Sequence, residues 1–220
     1  MSIRDTNFVS NEYYHVYSRG NSKQKIFRDK RDYERFVSLL YGTNTKARFN
    51  FFNAQKNGGV FLKKFDNKLV SIGAYCLMPN HFHILIKPQS EEGLSKFMQK
   101  ILTSYSMYFN EKYKRTGGLF EGKFKSIHVN NDRQLKYLFS YIHLNPIKLI
   151  NKKWKEEGIK NTKETFDYLD KYTYSSYLDY AGENRKEKVI LKLDDFPNYF
   201  PSKISFKREI VDWLKYVKNT

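Results

Sequence analysis

A strand-like run from Phe82 to Ile86 constrains the fold of this chain more than any other part of its sequence. Its residues are β-branched, aromatic or aliphatic except His83, and a Pro-Asn pair breaks the chain shortly before it. A break followed by such a run predicts a turn that leads into a buried strand. Because side chains alternate between the faces of a strand, His81 and His83 are predicted to share one face.

Two histidines on one strand face can form half of a functional site. Their Cα atoms are about 7 Å apart, so the two imidazoles can converge on one metal ion or one phosphate. The same pattern also arises when both rings make ordinary hydrogen bonds inside a sheet. A site therefore requires further polar residues from another part of the chain.

A predicted helix later in the chain supplies such residues. Asn131 and Gln134 have the spacing of a capping box, and an apolar stripe follows at helical intervals. The stripe consists of Leu135, Leu138, Phe139 and Ile142. At roughly 100° per residue, Tyr141 and Asn145 share a line that lies off the centre of this stripe. As structural residues they are a boundary aromatic and a helix stop before Pro146. As functional residues they are a nucleophile and a third metal ligand.

The two motifs, in this order, resemble those of the HUH single-tyrosine transposases. Within that superfamily they are most similar to the IS200-like, REP-associated tyrosine transposases. The resemblance implies that His81 and His83 are metal ligands, that Asn145 is the third ligand and that Tyr141 is the catalytic nucleophile. Tyr137, one helical turn earlier, is the rival nucleophile, but the position four residues after it is a tyrosine rather than an asparagine.

The resemblance covers about residues 12–180 and implies a metal-dependent enzyme that acts on single-stranded or hairpin repeat DNA. Such an enzyme cleaves DNA through a 5′-phosphotyrosine, here on Tyr141, and then transfers the strand to another end. Two imidazoles alone suit zinc, whereas an amide oxygen with phosphate oxygens favours Mg²⁺ or Mn²⁺. Mg²⁺ or Mn²⁺ is expected here, more because the resemblance implies it than because of the ligand chemistry. Two other functions stay open from the residues alone. One is a nonenzymatic single-stranded nucleic-acid-binding protein, and the other is a metal-dependent hydrolase that uses water.

The charge balance favours a polyanionic partner. Forty Lys and Arg residues against 23 Asp and Glu residues give a formal net charge of +17, and nucleic acid is the commonest partner of so basic a protein. A bias toward Lys, Asn, Ile and Tyr, typical of an AT-rich genome, explains part of this excess. Charge alone therefore indicates binding and not catalysis.

Cysteine content and hydropathy define the expected compartment. Cys76 is the only cysteine, which excludes an intramolecular disulfide and a multi-cysteine zinc site and fits a reducing cytoplasm. No apolar run approaches the roughly eighteen residues of a membrane span. We therefore expect a soluble, cytoplasmic protein with no membrane partner. A DNA partner would associate it with the nucleoid, and the sequence leaves both a monomer and a homodimer open.

A basic, aromatic segment at residues 112–126 is the main candidate for DNA binding. It interleaves cations and aromatic side chains around three glycines. Cations neutralise phosphates and aromatic rings stack on unpaired bases, so this mixture suits a single strand. The predicted DNA-binding residues are Arg19 on the first strand and Lys112, Lys114, Arg115, Lys123 and Lys125 in this segment. The alternative is a solvated basic turn followed by a strand that ends at Val129. His15 is either hydrogen-bonded within the sheet or in contact with a phosphate or base.

The predicted elements before Pro146 follow the order β, α, β, β, α, β, α. This order fits an α+β fold, a ferredoxin-like antiparallel sheet with helices on one face. Residues 1–150 are predicted to form the catalytic domain, with an insertion at 45–68 that is a packed loop or a hairpin. Residues 151–220 are a basic helical C-terminal extension whose last helix packs back through an apolar face. That face consists of Phe206, Ile210, Trp213, Leu214 and Val217. The Tyr-Ser-Ser-Tyr run at 174–177 serves either DNA contact or packing.

Overall fold

The computed structural model describes residues 8–159 and 161–216. The strands are β1 Tyr13–Arg19, β2 Val70–Met78, β3 His81–Pro88 and β4 Lys125–Val129. The helices are α1 Lys30–Gly42, α2 Phe51–Lys56, α3 Gly93–Lys112, α4 Asp132–Leu144, α5 Trp154–Glu157, α6 Thr162–Leu169, α7 Tyr177–Tyr180 and α8 Lys203–Tyr216. A 3-10 turn, Asn145–Leu149, follows α4 without a break.

The four strands form one antiparallel sheet in the order β2-β3-β1-β4. β3 and β1 are therefore the central strands, and His83 lies opposite Tyr17 while His81 lies opposite Arg19. With α1 between β1 and β2, and α3 between β3 and β4, this is the ferredoxin-like βαββαβ arrangement. The predicted α+β fold class is confirmed.

One face of the sheet carries the main hydrophobic core under α1 and α3. Val16, Phe82 and Ile84 of the central strands are fully buried in this core. Helix α1 contributes Phe36, whose ring centroid lies 4.9 Å from that of Phe82. Because side chains alternate along a strand, this core determines which residues of β1 and β3 point to the opposite face.

The opposite face is partly covered by α4 and by the C-terminal region. Cys76 and Leu85 of the sheet pack with Phe139 and Ile142 of α4 and with Phe196. The two crossover helices share one face, as predicted. Helix α4 lies on the other face, where the strand histidines are, and it brings its polar edge toward them.

The C-terminal region closes the β2 edge of the sheet. Leu77 N–H donates to Tyr174 C=O at 3.0 Å, and Ser176 N–H donates to Tyr75 C=O at 3.0 Å. The Ser176 hydroxyl also accepts a hydrogen bond from Tyr75 N–H at 2.9 Å. Of the two predicted roles for the Tyr-Ser-Ser-Tyr run, the structure shows packing, because these residues satisfy backbone groups that an open edge would expose.

Residues 45–68 form a locally packed segment, and the hairpin alternative is wrong. The segment contains α2 and a 3-10 turn, Val60–Leu62. The Asn50 side chain caps α2, and Phe65 packs on Tyr41 of α1 with 5.2 Å between ring centroids. Capping and aromatic packing thus replace strand pairing here. That the segment is an insertion stays a prediction.

The last helix packs back on the body of the protein, as predicted. Its apolar residues Phe206, Ile210 and Leu214 are buried. Its Glu209 pairs with Lys136 of α4 at 2.8 Å. Helix α8 is therefore attached to the helix that carries Tyr141.

Some features of the C-terminal half stay predictions. Val217, the last residue of the predicted apolar face, lies outside the described residues. The predicted division into a catalytic domain, residues 1–150, and a C-terminal extension, residues 151–220, also stays a prediction. Residues of the predicted extension pack directly on α4 and β2. In the part of the chain that the structure describes, no helix is long and apolar enough to cross a lipid bilayer.

Candidate active site

Strand β3 presents its two histidines on the face that α4 partly covers. His81 and His83 lie on this face with 5.0 Å between their ring centroids, while Phe82 between them is buried in the opposite core. The predicted sharing of one face is confirmed. His83 is only 6% exposed and His81 is more open, so His83 forms the floor of the site and His81 its rim.

Each of these rings uses its Nδ1 atom for a contact within the protein. His83 Nδ1 lies 2.9 Å from His15 Nε2 on β1, and His81 Nδ1 lies 2.7 Å from Asn80 Oδ1. An amide oxygen only accepts hydrogen bonds, so His81 donates there and its Nε2 keeps a lone pair. When His83 donates to His15, its Nε2 likewise keeps a lone pair for a ligand.

All three histidines are neutral at neutral pH. Burial lowers the pKa of His15 to about 4. Burial, with the positive charges of Lys148 and Arg19, lowers the pKa of His81 to about 4. Burial also lowers the pKa of His83 well below its usual value. Neutral imidazole is the form that binds a metal ion, so these rings have the protonation state that a metal site requires.

Helix α4 places Tyr141 against the histidines. Asn131 caps the helix by accepting a hydrogen bond from Gln134 N–H at 2.8 Å, and the predicted apolar stripe is buried. Tyr141 lies half-buried at the edge of that stripe, with its ring centroid 5.5 Å from that of His83 and 5.8 Å from that of His15. Residues that are far apart in the sequence therefore meet at one point on the sheet.

The rival nucleophile, Tyr137, has a different environment. Its ring packs on Trp213 of α8 with 4.7 Å between centroids, and it lies 5.8 Å from the ring of Tyr141. Within the described residues it makes no ring contact with a histidine. Its placement favours Tyr141 as the nucleophile.

The phenol of Tyr141 is protonated at neutral pH. Burial raises its pKa above the usual value of 10.0, Tyr137 adds to this rise, and a hydrogen bond with the Asn145 side chain lowers the pKa in part. A protonated phenol is a weak nucleophile. Attack by Tyr141 therefore requires neighbouring positive charge or a proton acceptor.

Asn145 directly follows α4 and is 1% exposed. It keeps helical backbone angles, φ −54° and ψ −39°, although Pro146 follows it. Its Nδ2 donates to the Tyr141 carbonyl at 2.8 Å, and its Oδ1 accepts from Lys148 Nζ at 3.4 Å. These two contacts fix the orientation of the amide, and its oxygen keeps one lone pair that Lys148 does not use.

The sequence does not single out two lysines that lie near Tyr141. Lys148 Nζ is 5.6 Å and Lys155 Nζ is 4.7 Å from the centroid of the Tyr141 ring. Lys148 comes two helical turns after Tyr141 and so continues the line through Asn145. Pro146 lies between them, and a helix is expected to end before a proline. A prediction that ends the helix there does not place Lys148 beside Tyr141.

Two of the predicted DNA-binding residues lie on the histidine face of the sheet. Arg19 on β1 pairs with Glu121, with 2.9 Å between Nη2 and Oε1. Lys125 on β4 is exposed and lies opposite Tyr17. Three others lie in the connection between α3 and β4: Lys114, Arg115 and Lys123. Contact of these five residues with DNA stays a prediction.

Lys112 is held in an ion-pair network inside the protein. Its Nζ lies 2.7 Å from Asp29 Oδ1 and 2.7 Å from Asp32 Oδ1, and Asp32 is fully buried. The Tyr108 and Tyr113 hydroxyls also donate to Asp32. Lys112 thus joins α3 to α1 on the side of the sheet away from the histidines, and its contacts support a structural role rather than the predicted DNA contact.

A family model identifies the chain. Its description is IS200-like transposase, and it matches residues 8–145, which include all four strands, α4 and Asn145. The fold and the match define a transposase, an enzyme that acts on DNA. More specifically, the chain belongs to the IS200-like transposase family. Among curated proteins, no sequence matches this chain at a significant level.

One solved transposase has a similar fold. A REP-associated tyrosine transposase bound to a REP hairpin matches with a TM-score of 0.51 at 12% identity, over 85% of this chain and 90% of that chain. At this identity the likeness shows the fold alone. A candidate transposase from Deinococcus radiodurans matches with a TM-score of 0.36 at 12% identity, over 63% of this chain and 92% of that chain. The tRNA(His) guanylyltransferase of Saccharomyces cerevisiae matches with a TM-score of 0.38 at 12% identity, over 90% of this chain and 87% of that chain. The last two scores are too low to support an argument.

The substitution Lys112→Met is expected to destabilise the protein. Loss of the ammonium leaves the buried Asp32 carboxylate without its charged partner, which costs about 2 kcal/mol of unfolding free energy. Lys114→Met, which removes an exposed cation two residues later, is the matched control and should leave stability unchanged. Urea unfolding followed by circular dichroism measures both variants. Equal unfolding free energies in the two would contradict the structural role of Lys112.

Proposed function

We propose that the protein is a metal-dependent HUH tyrosine transposase that cleaves single-stranded or hairpin DNA and rejoins the ends. The observation that carries the proposal is the contact between the Tyr141 ring and His83, one of the paired histidines, with 5.5 Å between their ring centroids. Attack by a tyrosine keeps the energy of the phosphodiester in a covalent bond, so the strand can be rejoined without ATP. Attack by water would lose that energy, which is why the phenol distinguishes a transferase from a hydrolase.

The residues beside Tyr141 fit a divalent metal ion. Within residues 8–159 and 161–216, no three His, Cys, Asp or Glu side chains form a metal site. The proposed ligands, which the family resemblance implies, are the Nε2 atoms of His81 and His83 and the Oδ1 atom of Asn145. An amide oxygen has two lone pairs, and Lys148 uses only one of them. Two imidazoles alone would suit zinc, whereas amide and phosphate oxygens suit Mg²⁺ or Mn²⁺, the metals that the family resemblance implies. Such an ion, when bound, withdraws charge from the scissile phosphate.

The proposed reaction exchanges one phosphodiester bond for another. The phenolic oxygen of Tyr141 attacks phosphorus and gives up its proton. The bond between phosphorus and the 3′-oxygen breaks, and that oxygen takes up a proton to become a free 3′-hydroxyl. The 5′-phosphate stays on Tyr141. Attack by the 3′-hydroxyl of another end reverses these changes, releases the phenol and joins the strands.

His15 has a positioning role in this proposal. The His15 Nε2 atom lies 2.9 Å from His83 Nδ1, and in the proposed tautomers His83 is the donor, so the His83 Nε2 atom keeps its lone pair for the metal ion. Metal-binding histidines usually donate their second ring N–H to such a partner, which fixes both the tautomer and the ring orientation. His15 is therefore proposed to act through His83 and not on the DNA.

The proposed substrate is single-stranded or hairpin DNA. The net charge of +17 supports a polyanionic partner, and a transposase of similar fold was solved with a REP hairpin. Arg19 and Lys125 lie on the same sheet face as the histidines, where a strand in contact with Tyr141 would pass. The protein is accordingly expected in the cytoplasm, in association with the nucleoid.

Incubation with end-labelled hairpin oligonucleotides and Mn²⁺ is expected to give a covalent protein-DNA adduct. The oligonucleotide pool carries randomised flanking bases, so the assay does not depend on a known target. The adduct should retain the label downstream of the nick and release the upstream label, because the 5′-phosphate stays on the protein. Tyr141→Phe should abolish the adduct, and His81→Ala and His83→Ala should each reduce it by at least about 100-fold. A denaturing gel measures the yield.

Tyr137→Phe is the matched control for this assay, since it removes the neighbouring phenol of the same helix and should leave the adduct in place. Binding without cleavage by the wild-type protein would favour the nonenzymatic alternative. Cleavage that survives Tyr141→Phe would favour a hydrolase that uses water. Loss of the adduct in Tyr137→Phe, but not in Tyr141→Phe, would identify Tyr137, one helical turn earlier, as the nucleophile.

His15→Ala is expected to weaken Mn²⁺ binding by about 10- to 100-fold, because His83 loses the partner that orients it. Isothermal titration calorimetry on the DNA-free protein measures the affinity directly, independently of activity. His128→Ala is the control, since His128 lies exposed on β4 and pairs with Glu12. Equal Mn²⁺ affinity in the His15 variant and the wild type would contradict the positioning role.

A further inference from the structure

Two ammonium groups converge on the ring of Tyr141 from the segment that follows α4. Lys148 Nζ is 5.6 Å and Lys155 Nζ is 4.7 Å from the ring centroid. Both side chains are half-buried. The two lysines therefore place two positive charges beside the ring of the proposed nucleophile.

Neither charge is neutralised by an ion pair in the part of the chain that the structure describes. Lys148 donates only to the neutral amide of Asn145, at 3.4 Å. Lys155 contacts the rings of Tyr141 and Trp154 and has no carboxylate within ion-pairing distance. The Glu156 carboxylate acts on both lysines only from a longer range. Two like charges held together in partial burial repel one another, so an anion between them would be strongly favoured.

Other lysines near the site show the contrast. Lys136 on α4 pairs with Glu209, and Lys153, two residues before Lys155, pairs with Glu157. Glu209 and Glu157 are thus paired with lysines that do not face Tyr141. The two that do face it are left without a partner of opposite charge.

The fold holds both lysines in place. Lys148 belongs to the 3-10 turn that continues α4, and the buried Ile147 precedes it. Lys155 belongs to α5, which is anchored by Trp154, a residue that is only 3% exposed. Each lysine therefore follows a buried apolar residue, which anchors the backbone that carries the lysine side chain.

We propose that Lys148 and Lys155 form a phosphate-binding subsite for the DNA phosphodiester that Tyr141 faces. The inference rests on the proposed function for the identity of the anion, and it assigns two cationic residues to the site that the metal ligands do not include. Both ammonium groups bind the non-bridging oxygens of that phosphodiester. They also offset the negative charge that develops on the phenolic oxygen and on the phosphate during attack.

The test measures the salt dependence of DNA binding without cleavage. Lys148→Met and Lys155→Met are each made in the Tyr141→Phe background and titrated with fluorescein-labelled oligothymidylate in EDTA, at several salt concentrations. Loss of one phosphate contact lowers the slope of log Kd against log salt by about 0.7 for a single strand. Each variant should show this decrease, and the double variant about twice as much. Lys148→Arg should restore the slope.

Lys30→Met is the matched control, because it removes one lysine charge from α1, on the far face of the sheet, and should leave the slope unchanged. Circular dichroism melting shows whether each variant is folded. Unchanged slopes in both lysine variants would overturn the proposal, as would weaker binding with an unchanged slope. A slope loss as large in Lys30→Met would also overturn it, because the effect would then be net charge alone.

The outcome is separable from that of the proposed function. If the wild type forms the covalent adduct while the lysine variants keep the wild-type slope, the proposed phosphate-binding subsite is wrong and the proposed nuclease activity is supported. If the slopes decrease as expected while no adduct forms under any condition, the two lysines are supported as DNA contacts and the proposed nuclease activity is wrong.

Discussion

The antiparallel pairing of β1 with β3 is the interaction on which the site depends. Its register sets His83 opposite Tyr17 and brings His15 Nε2 to 2.9 Å from His83 Nδ1. A slip of one residue would turn the histidines into the hydrophobic core and expose Phe82 on the site face. Burial of apolar surface under α1 and α3, at about 25 cal/mol per Å², therefore also fixes the position of the chemical groups.

The second half of the site is held by contacts that come from the C-terminal region. His143 on α4 lies with its Nε2 2.7 Å from the Ser176 hydroxyl, and Ser176 is in turn bonded to the β2 edge. Glu209 of α8 pairs with Lys136 at the other end of α4. Contacts of Ser176 and Glu209 therefore hold the helix that carries Tyr141 in place on the sheet. The position of the proposed nucleophile depends on these C-terminal residues.

Features with a local signal could be predicted from the sequence. Strand alternation placed His81 and His83 on one face, and the Asn131 cap with its apolar stripe gave α4 and the boundary position of Tyr141. Both depend on residues within a few positions of one another, so a period or a cap is enough to find them. The order of the elements then indicated the sheet topology.

Features that depend on distant partners could not be predicted in this way. Lys112 and Lys114 lie in the same basic segment, and only the fold reveals that Lys112 is bound by Asp29, which caps α1, and by Asp32 of α1. The pairing of Ser176 with β2 joins residues about a hundred positions apart, for which no period exists. Lys148 and Lys155 reach Tyr141 through a turn after Pro146, and a proline normally marks the end of a helical pattern.

Tandem mass spectrometry of the protein-DNA adduct tests the central claim most directly. After nuclease trimming and proteolysis, a residual 5′-nucleotide should be found on the peptide from α4, with fragment ions that locate it on Tyr141. A nucleotide on Tyr137, on Tyr17 or on any residue outside α4 would contradict the account, because the phenol beside the paired imidazoles would then not be the group that attacks DNA.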